Sequence, residues 1–204
     1  MVDSFFTIEK SARAQFKDRN SRFIGLVFPV NTEEEIKEIQ QQLRKEFYDA
    51  RHHCFAWIIG FDGSSFRAND DGEPSGSAGK PIYNQLLSAN ATNILAVVVR
   101  YFGGTKLGVP GLINAYKTAT KLALDEAGIV EKFTARKISL SFTYPEVNTV
   151  MQIVQADGIK VLDQQFDMRC TMGIVVKNSI TETISGKLKK AGITLNIENS
   201  TEVF

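Results

Sequence analysis

The chain of 204 residues has room for one or two domains. Its composition, 43% hydrophobic and 23% charged, is that of an ordinary folded protein and excludes a disordered or fibrous one. A net charge of +1 excludes a strongly basic nucleic-acid-binding domain, and no apolar run approaches the roughly 20 residues that cross a bilayer. The charge is also evenly spread. Residues 1–135 carry 16 basic and 16 acidic side chains, and residues 136–204 carry 8 and 7. Any RNA contact must therefore come from a local patch. The opening MVDSFFTIEK has no basic stretch followed by an apolar one, so no signal peptide is expected and the location expected is cytoplasmic, with no membrane partner. Two cysteines, Cys54 and Cys170, make no disulfide framework, and no CxxC or HExxH spacing occurs. No cofactor and no structural metal are expected.

In chain order, 5–8 and 23–30 read as strands. Asn31 or Thr32 caps a helix to about Phe47, which opens on Glu33, Glu34 and Glu35, where acidic groups suit the helix dipole. Ile36, Ile39, Leu43 and Phe47 form its apolar stripe. Residues 53–60 alternate as a strand, 81–89 read as a short helix, and 93–101 form an apolar, β-branched strand. Pro110 suits the first turn of a helix that runs to Ala127 and closes at Gly128. From 137 the order is strand (137–143), helix after Pro145, strands at 159–166 and 168–176, a helix capped by Ser179 or Thr181, and a strand at 193–197. That order, β-α-β-β-α-β, is a ferredoxin-like unit. The fold class expected is α+β, with an N-terminal α/β domain at 1–135 and a ferredoxin-like domain at 136–204.

Glycine carries the functional signal. Nine of the 15 glycines lie between Gly60 and Gly111, and seven of these fall in two loops: DDGEPSGSAGKP (70–81) and YFGGTKLGVPG (101–111). Each loop leads into a helix start, where free N–H groups and the dipole can hold an anion. The donors expected around such a site are Ser75, Ser77, Lys80, Arg100, Gly103, Gly104, Thr105 and Lys106, with Arg51 nearby. The competing reading is that the loops are turns. Neither loop is a P-loop, and GGTKLG lacks the GxGxxG register.

Arg51-His52-His53-Cys54 invites a second reading, in which Cys54 is a nucleophile, His52 or His53 its base, and Asp70, Asp71 or Glu73 the orienting acid. Strand alternation opposes it, because His53 then shares a face with Phe55, Trp57 and Ile59, while Cys54 sits beside Ala56 as packing. An enzyme is not the expected reading, and no catalytic residue is assigned. His52, Cys54, Asp70 and Asp71 are also metal-ligand types, but at no standard spacing. Arg100 either pairs with Asp70 or Asp71 or meets a phosphate.

Three segments, ARHHCFAW (50–57), DDGEPSGSAGKP (70–81) and VVVRYFGGTKLGVPGL (97–112), resemble the signature of the IMPACT/YigZ family. The βαββαβ tail is similar to the C-terminal domain of the bacterial-type members. The resemblance implies an N-terminal domain like one of a small-subunit ribosomal protein and of elongation factor G, and a tail like another domain of that factor. It implies a link to translation control. Eukaryotic relatives restrain a stress-responsive kinase through an additional N-terminal domain, so that role is not carried over whole. The function expected is a translation-associated regulatory factor that binds RNA or the ribosome through the glycine-rich loops, with translation-related proteins as further partners. A protein-interaction module without RNA binding is the alternative, and a Cys54/His52/His53 hydrolase a third. Oligomeric state has no mark in the sequence.

Overall fold

In a computed structural model the described residues are 4–198 and 202–203. They divide into two compact units. One runs from Phe5 to Glu131, and the other takes Lys132 onward together with Ser4.

The elements of the first unit follow one another as β1 (Ser4–Thr7), β2 (Ala12–Asp18), β3 (Ser21–Pro29), α1 (Glu33–Glu46), β4 (His52–Ile59), β5 (Ser65–Asn69), α2 (Gly79–Ser88), β6 (Ile94–Tyr101) and α3 (Gly108–Ala127). Five strands form one antiparallel sheet in the order β2-β3-β6-β4-β5. Helices cover both faces, which explains why β6 reads as a continuous apolar run with no alternation. On one face Ile36, Leu43 and Phe47 of α1 pack on Ile24, Trp57, Leu95 and Val97. On the other, Ile82 and Leu86 of α2 and Ala115, Tyr116, Ala119 and Ala123 of α3 pack on Phe23, Cys54, Ala56 and Val98. The alanines and Gly25 bring α3 close to the sheet, since a Cβ at Gly25 would stand 2.3 Å from the Ala119 carbonyl oxygen. Helix α1 starts as its sequence says: Thr32 accepts the Glu35 N–H at 3.2 Å, and the Glu35 carboxylate accepts the Asn31 N–H at 2.7 Å.

Two strands of this sheet have no counterpart in the sequence reading. Both β2 and β5 are edge strands; β2 alternates between partly buried and exposed residues, and β5 is exposed along most of its length. Neither contains a β-branched residue, so neither carries the signal that marked β3, β4 and β6.

The second unit holds β7 (Val130–Phe142), α4 (Val147–Ala156), β8 (Lys160–Gln165), β9 (Cys170–Lys177), α5 (Thr181–Lys190), β10 (Thr194–Ile197) and the short β11 (Glu202–Val203). The βαββαβ order is present. Strand β7 begins seven residues earlier than the expected 137, and it pairs with β9, β10 and β11. In its sheet β7 is followed by β9 and then β8. Its core is Ile138, Leu140, Phe142, Val150, Val154, Met172, Ile174, Ile184 and Leu188. The Thr143/Glu146 capping box precedes α4, with both Glu146 bonds from Thr143 at 2.6 and 2.8 Å. Among the described residues no helix is long and apolar enough to cross a membrane.

Candidate functional site

The loop from Asp70 to Gly79 is a cassette fixed by its own carboxylates. Asp70 turns back into the loop and accepts three backbone N–H groups: Gly76 at 2.8 Å, Ala78 at 3.0 Å and Gly79 at 2.8 Å. The start of α2 therefore already holds an anion, and that anion is the protein's own. This corrects the expectation that α2 offers free donors to a ligand. Asp71 pins the loop to the sheet: it accepts the His53 N–H at 2.6 Å and pairs with Arg44 at 3.0 Å. Glu73 enters the interior, with only 4% of its side chain exposed. Its Oε1 takes the Arg100 guanidinium at 2.5 Å and the Tyr116 hydroxyl at 2.8 Å. The partner of Arg100 is thus Glu73, not Asp70 or Asp71. The Cys54 thiol completes the network, 2.9 Å from the Asp70 carbonyl oxygen and 3.3 Å from the Tyr116 hydroxyl oxygen.

This network removes the nucleophile reading. Cys54 is fully buried, and burial above all pushes its thiol up to about 12. A protonated thiol held against a carbonyl is a packing group, not a nucleophile. His53 lies 6% exposed on the opposite side of the sheet, its Nδ1 4.0 Å from Asp71 Oδ2 and neither ring nitrogen hydrogen-bonded among the described residues. Burial, helped by the Arg44 charge, lowers its pKa and keeps it neutral. The native protein is expected to resist alkylation at Cys54 near pH 8, and Cys54→Ser to cost stability. The raised thiol also sets a pH limit. In the unfolded chain the group ionises near 9.0, in the fold near 12, so its contribution is complete below pH 9 and declines as pH rises between those values. Tyr116, pushed far above the usual phenol range mainly by burial, acts in the same sense. Urea midpoints between pH 8 and 11 should fall faster in the wild type than in Cys54→Ala.

The two glycine loops do meet at one cleft of about 460 Å³. It is lined by Arg51, His52, Glu73 and Pro74 and by Arg100, Phe102, Lys106, Leu107, Gly108, Val109 and Leu112. Of the expected site residues, Arg51, Arg100 and Lys106 are there. Arg51 and Lys106 have no ion-pair partner among the described residues. Phe102 is 57% exposed, with the Arg100 guanidinium 5.6 Å from its ring centre. Helix α3 starts at the cleft with no side-chain cap, and Pro110 in its first turn has no N–H to satisfy. One of the two helix dipoles is therefore open.

The other expected residues are elsewhere. Ser77 is buried and donates to the Pro74 carbonyl at 2.6 Å, which closes the turn. Ser75, Lys80 and Thr105 are exposed outside the cleft lining. Gly103 donates its N–H to Ser21 Oγ at 3.1 Å, and a Cβ there would lie 2.1 Å from the Asn20 backbone. Gly104 stands in open space with φ of 87° and does not line the cleft. Sequence reasoning missed His52, Phe102 and Glu73 as parts of one wall. His52 Nδ1 sits 2.8 Å from the Asp71 carbonyl oxygen, a carbonyl 19 residues along the chain that no spacing rule announces. Among the described residues no group of three His, Cys, Asp or Glu could hold a metal ion.

Fold and cleft together define a chain of two mixed α/β units, the first with a loop-built, cation-rimmed cleft. Residues 19–124 match the family model described as the Impact N-terminal domain. The chain is 40% identical over 144 residues to the IMPACT family member YvyE of Bacillus subtilis, covering 71% of this chain and 66% of that protein. It is 33% identical over 173 residues to the IMPACT family member YigZ of Escherichia coli, covering 83% and 84%. A crystal structure of a hypothetical protein superposes with a TM-score of 0.67 at 29% identity, over 98% of this chain and all of that one. The chain belongs to the IMPACT family.

Proposed function

We propose that this protein is a translation-associated regulatory factor of the cytoplasm that binds single-stranded or ribosomal RNA at the cleft. The observation that carries the proposal is the pairing of two unpartnered cations, Arg51 and Lys106, with the exposed ring of Phe102 around one cavity. A backbone phosphate suits the cations and the uncapped start of α3, and an unstacked base suits the ring. The α2 start takes no part, because Asp70 fills it. The βαββαβ order of the second unit supports a ferredoxin-like reading, and likeness of both units to domains of a ribosomal protein and elongation factor G belongs to the same proposal. The near-neutral charge fits a factor that touches RNA locally.

The test titrates the full-length protein with a short single-stranded RNA at two salt concentrations. Arg51→Ala and Lys106→Ala should each weaken binding several-fold and reduce the salt slope by about 0.7 per lost phosphate contact. Lys80→Ala, outside the cleft, should leave both unchanged. If the wild type binds RNA no better than a neutral control protein, the RNA reading fails, and a protein-interaction module with these loops as its face replaces it.

A further inference from the structure

We infer that His53 is a proton-operated latch on the 70–79 loop: on gaining a proton from water, its ring draws the Asp71 carboxylate away from Arg44. The inference concerns the loop that carries part of the cleft wall, and it stands whether or not the cleft binds RNA.

The His53 side chain is 7% exposed, and both ring nitrogens are sealed from solvent without a hydrogen bond among the described residues. The ring borders a small cavity of about 10 Å³, shared with Gln40, Leu43, Arg44, Phe55 and Val97, which gives it room to tilt. Acceptors stand around it. Asp71 Oδ2 lies 4.0 Å from Nδ1. The backbone carbonyls of Leu43 and Phe47 also favour the charged ring, at the end of α1 where the helix dipole is negative. A neutral ring has a single N–H to offer these acceptors, and a protonated ring has two.

The carboxylate that would answer the new charge is already divided between two partners. Asp71 Oδ2 accepts the His53 backbone N–H at 2.6 Å, and Oδ1 accepts from Arg44 at 3.0 Å. Oδ2 is thus anchored on the backbone of the same residue whose ring would claim it. The Arg44 side chain is 54% exposed, so its guanidinium returns to water at little cost. Among the described residues the charges that act on the ring are Arg44 of α1 and Asp71 of the loop. On the ring's side β4 adds Phe55, and β6 adds Val97 and the register partner Val99, all apolar. Two arrangements follow. With a neutral ring, Asp71 is shared with Arg44; with a charged ring, Asp71 pairs with His53 and Arg44 is free. The proton selects between them.

Burial first, then the Arg44 charge, sets the entry of the proton below the ordinary histidine range. The ring ionises near 6.5 in the unfolded chain and lower in the fold, so the stability tied to the neutral ring is complete above pH 6.5 and is lost as pH falls below it. The exchange reaches the cleft through the chain itself. Glu73 and Pro74 of the cleft wall lie just beyond Asp71, and the Asp71 carbonyl oxygen is 2.8 Å from His52 Nδ1.

Proton–carbon NMR of the two histidine rings in the full chain, between about pH 7.5 and 4.5, tests this. The spectrum of His53→Gln identifies the His53 signal by its loss. In the wild type His53 should titrate below pH 6.5 while the chain stays folded, and the Arg44 Nε signal should shift with the same midpoint. Asp71→Asn should move the His53 midpoint down, and Arg44→Gln should move it up, each by about half a pH unit or more. A His53 ring that stays neutral until the protein unfolds overturns the inference. So does an Arg44 signal that ignores the His53 midpoint, or an Arg44→Gln midpoint that is unchanged or lower. The wild type and Arg44→Gln decide the matter even where Asp71→Asn fails to fold.

Discussion

Replacing Glu73 with alanine should destabilise the protein by about 3–5 kcal/mol, the cost of leaving one member of a buried ion pair without its partner. The pair is well inside: the side chains of Arg100 and Glu73 are 8% and 4% exposed, so solvent screens little of the interaction. Without Glu73, Arg100 would keep its charge among Phe23, Phe102 and the end of β6 with no counter-ion, and the Tyr116 hydroxyl would lose its acceptor. Removing both charges should be much milder. A Glu73→Leu, Arg100→Met double variant should regain most of the lost stability, because apolar groups of similar size fill the space without a desolvation penalty. Urea unfolding of the wild type, Glu73→Leu, Arg100→Met and the double variant closes the cycle and measures it, with Glu73→Ala beside them. A single-variant cost below about 1 kcal/mol would mean that the pair does not hold the loop to the helix.

Asp70→Ala should cost about 2–4 kcal/mol, above the usual helix-cap value of about 1 kcal/mol. The reason is that three backbone N–H groups, of Gly76, Ala78 and Gly79, lose their acceptor together. Ala78 and Gly79 are buried, so water cannot replace it freely. Asp70→Asn should recover part of the loss, since an amide oxygen still accepts. The readout is again the unfolding midpoint, with the amide exchange rates of 76–79 as a local probe. Exchange unchanged by Asp70→Ala would show that the turn is held by other means.

These two carboxylates also mark where sequence reasoning reached its limit. The regular elements were legible because their periods were strong: the α1 stripe, the unbroken β6 and the βαββαβ tail all stand near their expected positions. The glycine loops were legible as special, but their use was not. Density of glycine was read as backbone opened to a ligand. Gly79 and Gly103 instead serve close backbone packing: a Cβ at Gly79 would lie 2.6 Å from the Asn69 backbone nitrogen. From the sequence, Asp70, Asp71 and Glu73 were interchangeable candidates for an acid that orients a histidine. In the fold they point three ways, to a helix start, to β4 with Arg44, and to Arg100 with Tyr116. Their partners lie between 6 and 43 residues away, and no local spacing rule announces them. Arg100 and Lys106 were within reach because one adjoins and the other lies inside the second glycine-rich loop, whereas Arg51 comes from a separate segment. His52 and Phe102 were visible as residues, but not as walls of one cavity.

The Asp70 cap makes the two helix starts unequal competitors for anions. A soluble phosphate that approached α2 would have to displace a carboxylate carried on the same chain, eight or nine residues from the N–H groups it binds. A tethered group of this kind acts at an effective concentration of order millimolar or higher. Free inorganic phosphate at lower concentration cannot outcompete it. The loop thereby works as its own blocking ligand: it silences one electropositive end and leaves α3 as the end that an incoming anion can find.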